Sequence, residues 1–124
     1  MNVNIKTTSL SLTPAISEYV EKRLSSIDKF FVSDTTAQCD IELAKTSNHH
    51  KQGDIFRAEV HITAKGMNTY ASAEKEDLYA AIDEVRDEVL RLVKSTNEKQ
   101  RSLVRRGGAR IKDIIRGLWS RKNK

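Results

Sequence analysis

Four short segments of this chain alternate apolar and polar side chains, and that period of two restricts the fold more than any other feature. Asn2 to Thr8 sets Val3 and Ile5, expected to face a core, against Asn2, Asn4 and Lys6. Gln38 to Lys45 sets Cys39, Ile41 and Leu43 against Asp40 and Glu42. Phe56, Ala58, Val60, Ile62 and Ala64 alternate with Arg57, Glu59, His61 and Thr63, the longest such run. SNHHKQGD, Ser47 to Asp54, reads as a polar loop before it, and Lys65-Gly66-Met67-Asn68 as a tight turn into a fourth strand through Ala73. Successive strand side chains point to opposite faces, so a sheet of these segments has one wet face and one dry face.

Two helical patterns remain to cover the dry face. In LTPAISEYVEKRLSSIDKFF, Thr13 suits an N-cap and Pro14 the first helical position, where a missing N–H loses nothing. Ile16, Val20, Leu24, Ile27 and Phe31 recur at three- and four-residue steps and share one side. In YASAEKEDLYAAIDEV, Ala71 and Ala73 fall on the inward side of the fourth strand, where small side chains let a helix come close. Glu74, Glu76 and Asp77 cluster where the second helix starts, the end that favours negative charge. Leu78, Ile82, Val85, Val89 and Leu92 form its buried stripe, and the pattern extends to about Arg105, with Gly107-Gly108 as the expected stop. The fold class is α+β in the order β-α-β-β-β-α: a four-stranded mixed sheet with two helices packed on one face. A right-handed crossover makes the first two strands parallel. The expected division is a domain over residues 1–106 and a basic tail over 107–124.

Charge separates these two parts. Residues 1–100 hold 13 Lys/Arg against 16 Asp/Glu, whereas residues 101–124 hold 9 against the single acid Asp113. A basic segment of that kind points to a polyanion, nucleic acid before a membrane surface, with a merely solubilising tail as the rival. One cysteine, Cys39, forms no internal disulfide and suits a reducing compartment. No apolar run approaches a membrane span, and the first residues lack a basic-then-apolar signal region, so a cytoplasmic location is expected.

The sequence offers little for catalysis. His49 and His50 are adjacent in a loop, and with His61 they have no Cys or acid at a convincing ligand spacing. Cys39 lacks a partner that would make it a nucleophile, and no glycine-rich phosphate loop follows a strand. Asp83, Glu84, Asp87 and Glu88 read as a solvated helix flank. No enzyme activity, metal or cofactor is expected. For nucleic acid, a sheet that stacks bases needs aromatics on its open face, and this one presents Asp40, Glu42, Arg57, Glu59 and His61. The helices and tail remain: Lys22, Arg23 and Lys29 on the first helix; Arg86, Arg91 and Lys94 on the second; then Lys99, Arg101, Arg105 and Arg106.

With these residues in place, about the first 100 positions resemble the ribosome hibernation-promoting factors, a family that includes ribosome-associated inhibitor A. The match is carried by the LTPAISEYVEKRLSSIDKFF helix, the GDIFRAEVHI strand and, most specifically, YASAEKEDLYAAIDEV. The resemblance implies a protein that binds the small ribosomal subunit in the channel of mRNA and of A- and P-site tRNA. It would block translation in stationary phase or stress, competing with tRNA and mRNA and preserving idle ribosomes. It implies rRNA contacts from Arg23 and Lys29 on the first helix, Lys45 at the end of the second strand and Arg91 on the second helix. Ser26 and Glu88 stand where relatives often carry Lys, which subtracts positive charge from the rRNA surface; the tail is expected to compensate.

The tail departs from the family's short and long forms alike. Ile111, Ile114, Ile115, Leu118 and Trp119 trace one stripe, with Arg110, Lys112, Arg116 and Arg121 around it: a basic amphipathic helix after a glycine hinge. Three uses compete: docking on rRNA or a ribosomal protein, packing on the domain or another copy, and lying on an anionic membrane. The ribosome is favoured and the membrane least, and the protein is expected to be a monomer off the ribosome. Two other classes stand as alternatives. One is a double-stranded-RNA module, disfavoured by acids at the start of the last helix. The other is a protein-interaction regulator that modulates a transcription factor through the tail stripe.

Overall fold

The computed structural model describes residues 1–47, 53–64 and 66–122, with the helical residues from 101 onward as backbone. The expected His49-His50 loop and Lys65 lie outside the described residues, as do the side chains of Arg101, Arg105, Arg106 and the tail stripe from Arg110 to Trp119. The elements are β1 (Asn2–Thr8), α1 (Pro14–Asp28), β2 (Gln38–Ser47), β3 (Asp54–Ala64), β4 (Met67–Lys75) and α2 (Leu78–Lys122), with a 3-10 turn at Lys29–Phe31 after α1. The sheet order is β1-β2-β3-β4. β1 and β2 are parallel with Val3 opposite Cys39; β2, β3 and β4 form an antiparallel meander with Leu43 opposite Ala58 and Ala58 opposite Ala73. Order and pairing agree with the alternation of the sequence.

Local chemistry sets the element ends. Thr13 caps α1: its hydroxyl accepts from the Ile16 N–H at 3.2 Å, with Pro14 at the first turn. Ser25 and Ser26 bond back to the carbonyls of Lys22 and Arg23 at 2.6 and 3.1 Å, competing with the helical ladder just before it tightens into the 3-10 turn. Gly66 takes φ +77° between β3 and β4, a left-handed value that a side chain disfavours. α2 begins later than the acids suggest. Glu74 and Lys75 still belong to β4, and Asp77 is the cap, accepting from the Ala80 N–H at 3.0 Å through its carboxylate. A carboxylate at that position satisfies an orphan donor and complements the helix dipole.

The core lies between the helices and one sheet face. Val20, Leu24, Ile27 and Phe31 of the first helical segment meet Cys39, Ile41, Leu43, Ala58, Val60 and Ile62 of the sheet and Leu78, Ala81, Ile82, Val85, Val89 and Val93 of α2. α2 packs across β3 and β4, and α1 lies beside it. Three expectations change. Val3 is 38% exposed, because β1 is the edge strand and has a neighbour on one side only. Val93, not Leu92, continues the buried stripe of α2; Leu92 flanks the core, as a 3.6-residue period drifts over four turns. The helix does not stop at Gly107-Gly108 but continues to Lys122. Glycine costs about 1 kcal/mol relative to alanine in a helix without forbidding it, and Arg105, Arg106, Ala109 and Arg110 are good helix formers. The last described side chain of α2 to touch the sheet end is Gln100, which donates to the Gly66 carbonyl at 3.3 Å.

Two measurements check this packing. Ala73→Leu puts three extra carbons between β4 and α2, and the expected loss in urea unfolding is about 1–3 kcal/mol. Burial, aided by the neighbouring Asp40 charge, pushes the Cys39 thiol up to about 12 from 9.0. Its raised pKa favours the neutral folded form, so its contribution to stability is complete below pH 9.0 and is lost as pH rises through about 12. At pH 8 the folded protein should resist a disulfide-exchange reagent that labels the urea-unfolded chain at once; rapid labelling of both would contradict the buried placement.

Candidate nucleic-acid interface

The helical layer brings together most of the expected cationic residues but treats them differently. Tyr19 of α1 and Tyr79 of α2 meet edge to face, with centroids 4.8 Å apart at 86°. The Tyr19 hydroxyl donates to Asp83 Oδ1 at 2.6 Å and accepts from Arg23 Nε at 3.2 Å, and Nε also lies 2.8 Å from Asp83 Oδ1. The guanidinium carbon sits 5.2 Å from the Tyr19 ring centroid. These contacts tie α1 to α2 and fix Arg23 at the seam. The Tyr19 hydrogen bond, then the Asp83 charge, hold Arg23 above its ordinary basicity. Sequence reasoning reached Arg23 but missed Tyr19, Tyr79 and the linking role of Asp83. The signal was available: Tyr19 and Arg23 are four apart, as are Tyr79 and Asp83, so each pair shares a helix face.

Three other candidates also have acidic partners. Arg91 Nη2 lies 2.5 Å from Glu88 Oε1, with Nε 3.5 Å from Oε2. This grip raises the basicity of Arg91 and lowers the Glu88 pKa. Arg86 is only 20% exposed; it pairs with Asp87 at 3.0 Å, while its buried Nε makes no hydrogen bond among the described residues. Lys45, on the helix-facing side at the end of β2, pairs with Asp54 at 3.2 Å. Lys22, Lys29 and Lys94 are exposed, and among the described residues none has an ion pair; Lys29 lies 5.8 Å from the Phe30 ring centroid. Acids interleave throughout: Glu18, Glu21 and Asp28 on α1, and Asp83, Glu84, Asp87, Glu88 and Glu98 on α2 before residue 101. The positive surplus therefore resides in residues 101–124, on the continuation of the same helix.

The opposite sheet face is a poor phosphate surface. Asn4, Lys6, Asp40, Glu42, Glu59, His61 and Tyr70 line a shallow groove there. Tyr70 is 56% exposed, an aromatic on this face that sequence reasoning missed, and its ring meets His61 at 6.4 Å between centroids. Arg57 is drawn to Glu59 at 3.1 Å, and His61 Nε2 lies 2.6 Å from Asn68 Oδ1. One tyrosine among carboxylates does not make a base-stacking platform. Among the described residues no group of three or more His, Cys, Asp or Glu is placed to hold a metal ion, and no helix is long and apolar enough to cross a membrane.

A four-stranded mixed sheet under two tied helices, in the order β-α-β-β-β-α, defines an α+β domain of the kind found in ribosome-associated factors. The chain belongs to the Sigma 54 modulation protein / S30EA ribosomal protein family, whose sequence profile matches residues 3–101. A ribosome hibernation promoting factor of Pseudomonas putida is 31% identical over 110 residues, 89% of this chain and 100% of that protein. Ribosome-associated factor Y of Haemophilus influenzae is 32% identical over 116 residues, 91% of this chain and 96% of that protein. The crystal structure of the Thermus thermophilus Protein Y N-terminal domain superposes with a TM-score of 0.62 at 30% identity, covering 77% of this chain and 98% of that one. The family match ends one residue beyond Gln100, where the described contacts of α2 with the sheet end.

The helix seam has a direct test. Tyr19→Phe keeps the ring contact with Tyr79 and removes the hydroxyl between Arg23 and Asp83. Thermal unfolding should show a loss of about 1 kcal/mol, and a Tyr19→Phe/Asp83→Ala cycle should be non-additive. Additivity would mean that the hydroxyl does not couple the helices.

Proposed function

We propose that this chain is a ribosome hibernation factor that occupies the mRNA and tRNA path of the small subunit, across the A and P sites. There it holds idle ribosomes out of translation in stationary phase or stress. The observation that supports this best is family membership over the whole domain, with relatives named as ribosome hibernation promoting and ribosome-associated factors that this chain covers nearly end to end. The mechanism is steric. A compact plug seated where tRNA and mRNA run excludes both, and it needs neither a reaction nor a cofactor.

Affinity then comes from phosphate contacts. Lys22, Lys29 and Lys94 are open to make them, Arg23 is held ready, and Arg101, Arg105, Arg106 and Arg110 add charge along the continuing helix. On this reading residues 1–106 form the ribosome-binding domain and the tail over 107–124 docks on rRNA or a ribosomal protein. The domain's acids make it a weak polyanion binder by itself, and the tail supplies the missing attraction. The protein acts in the cytoplasm and is a monomer off the ribosome. The sigma 54 wording in the family's description favours a second reading, a regulator acting through a protein partner.

Sedimentation of the purified chain with small ribosomal subunits separates these readings: the chain should travel with the subunits, and a chain left at the top of the gradient would favour the regulator. Replacing Arg101, Arg105, Arg106 and Arg110 together with Gln should weaken binding. It should also flatten the dependence of log affinity on log salt by about 0.7–0.9 for each phosphate no longer neutralised. An unchanged salt slope would remove the tail from the interface.

A further inference from the structure

Two arginines of the helical layer are held in opposite ways, and the difference assigns a role to a carboxylate. The hydrogen bonding of Arg23 to described residues runs through Nε alone, to the Tyr19 hydroxyl. Its terminal nitrogens, the fork that matches two oxygens of a phosphate, make no hydrogen bond to the described residues. Arg91 is engaged instead along the Nε–Nη2 edge, by both oxygens of Glu88, three residues before it on the same helix. A carboxylate with two oxygens on a guanidinium edge has the geometry and the charge sign of a phosphate.

We propose that Glu88 is a built-in competitor for phosphate at Arg91, so that an rRNA phosphate gains Arg91 only by displacing Glu88. The inference rests on the ribosome-binding reading above and names a residue that sets its affinity. Both side chains are largely exposed, Arg91 at 64% and Glu88 at 45%, so the pair is solvent-screened and readily opened. The competitor therefore tunes binding rather than blocking it. It weakens attachment at rest, and its displacement turns Arg91 from a neutral pair into a phosphate contact. The Lys75–Glu84 and Arg86–Asp87 ion pairs, at 3.3 and 3.0 Å, lack the two guanidinium–carboxylate hydrogen bonds that hold Arg91.

The test uses the full chain and equilibrium binding to purified small ribosomal subunits across a salt series. Glu88→Gln should tighten binding by about three- to tenfold, and the gain should vanish in an Arg91→Ala background. Glu98→Gln makes the same charge change at an exposed position of the same helix with no ion pair among the described residues. It should give less than half the gain of Glu88→Gln in logarithmic terms, and that gain should survive Arg91→Ala. An equal gain from Glu88→Gln and Glu98→Gln, or a Glu88→Gln gain that persists without Arg91, overturns the competitor. Binding by the unsubstituted chain with no response to Glu88→Gln overturns this inference alone, whereas no binding by the unsubstituted chain overturns the ribosome reading with it. Thermal unfolding of each variant, expected within a few degrees of the parent, shows that the differences arise at the interface.

Discussion

How close α2 can lie to β3 and β4 governs the rest of this structure. Ala71 and Ala73 on the strand and Ala81 on the helix are small and nearly or fully buried, so the two backbones approach without a methylene layer between them. Larger side chains, Leu78, Ile82, Val85, Val89 and Val93, then fill the space to either side. Each such side chain gains roughly 1.5–3 kcal/mol on full burial, which is where most of the attraction resides. A helix seated this low leaves room for α1 at its flank, and the two are tied by the Tyr19–Tyr79 contact and the hydrogen bonds through Asp83. The shape of the helical surface thus follows from three alanines.

That surface is electrostatically restrained. Arg86 and Arg91 answer to acids on their own helix, and Arg23 to Asp83 across the seam. A domain that carried the same cations without the acids would attract any polyanion; this one balances attraction locally and keeps its surplus charge on the continuation of α2. Phosphate affinity falls steeply with salt in proportion to the number of phosphates neutralised. On the proposed ribosome-binding reading, a slightly acidic domain lets geometry select the site while the basic extension supplies strength.

Much of this was legible in the sequence. Strict alternation in the four strands dictated a one-sided sheet, and Thr13-Pro14 marked the start of α1 within a residue. The YASAEKEDLYAAIDEV segment carried both the close approach and the family resemblance. The failures have physical causes. Periodicity names a face but not what covers it, so Val3 read as core although it lies on an edge strand. Acids near a helix start do not say which is the cap, and Asp77 alone takes that role. Two glycines read as a stop, yet the flanking helix formers carry the helix through them. The pairing of Arg91 with Glu88 was within reach of a three-residue spacing rule, whereas the Arg23–Tyr19–Asp83 linkage depends on how two helices far apart in sequence are set side by side.

The central claim is exclusion: a plug held against rRNA leaves no room for tRNA. The most direct measurement is the occupancy of labelled tRNA on messenger-programmed small subunits as this protein is titrated in. Occupancy should fall towards zero with a midpoint that moves to higher protein concentration as tRNA is raised, as mutual exclusion requires. Stable tRNA occupancy on subunits already saturated with the protein would contradict the account.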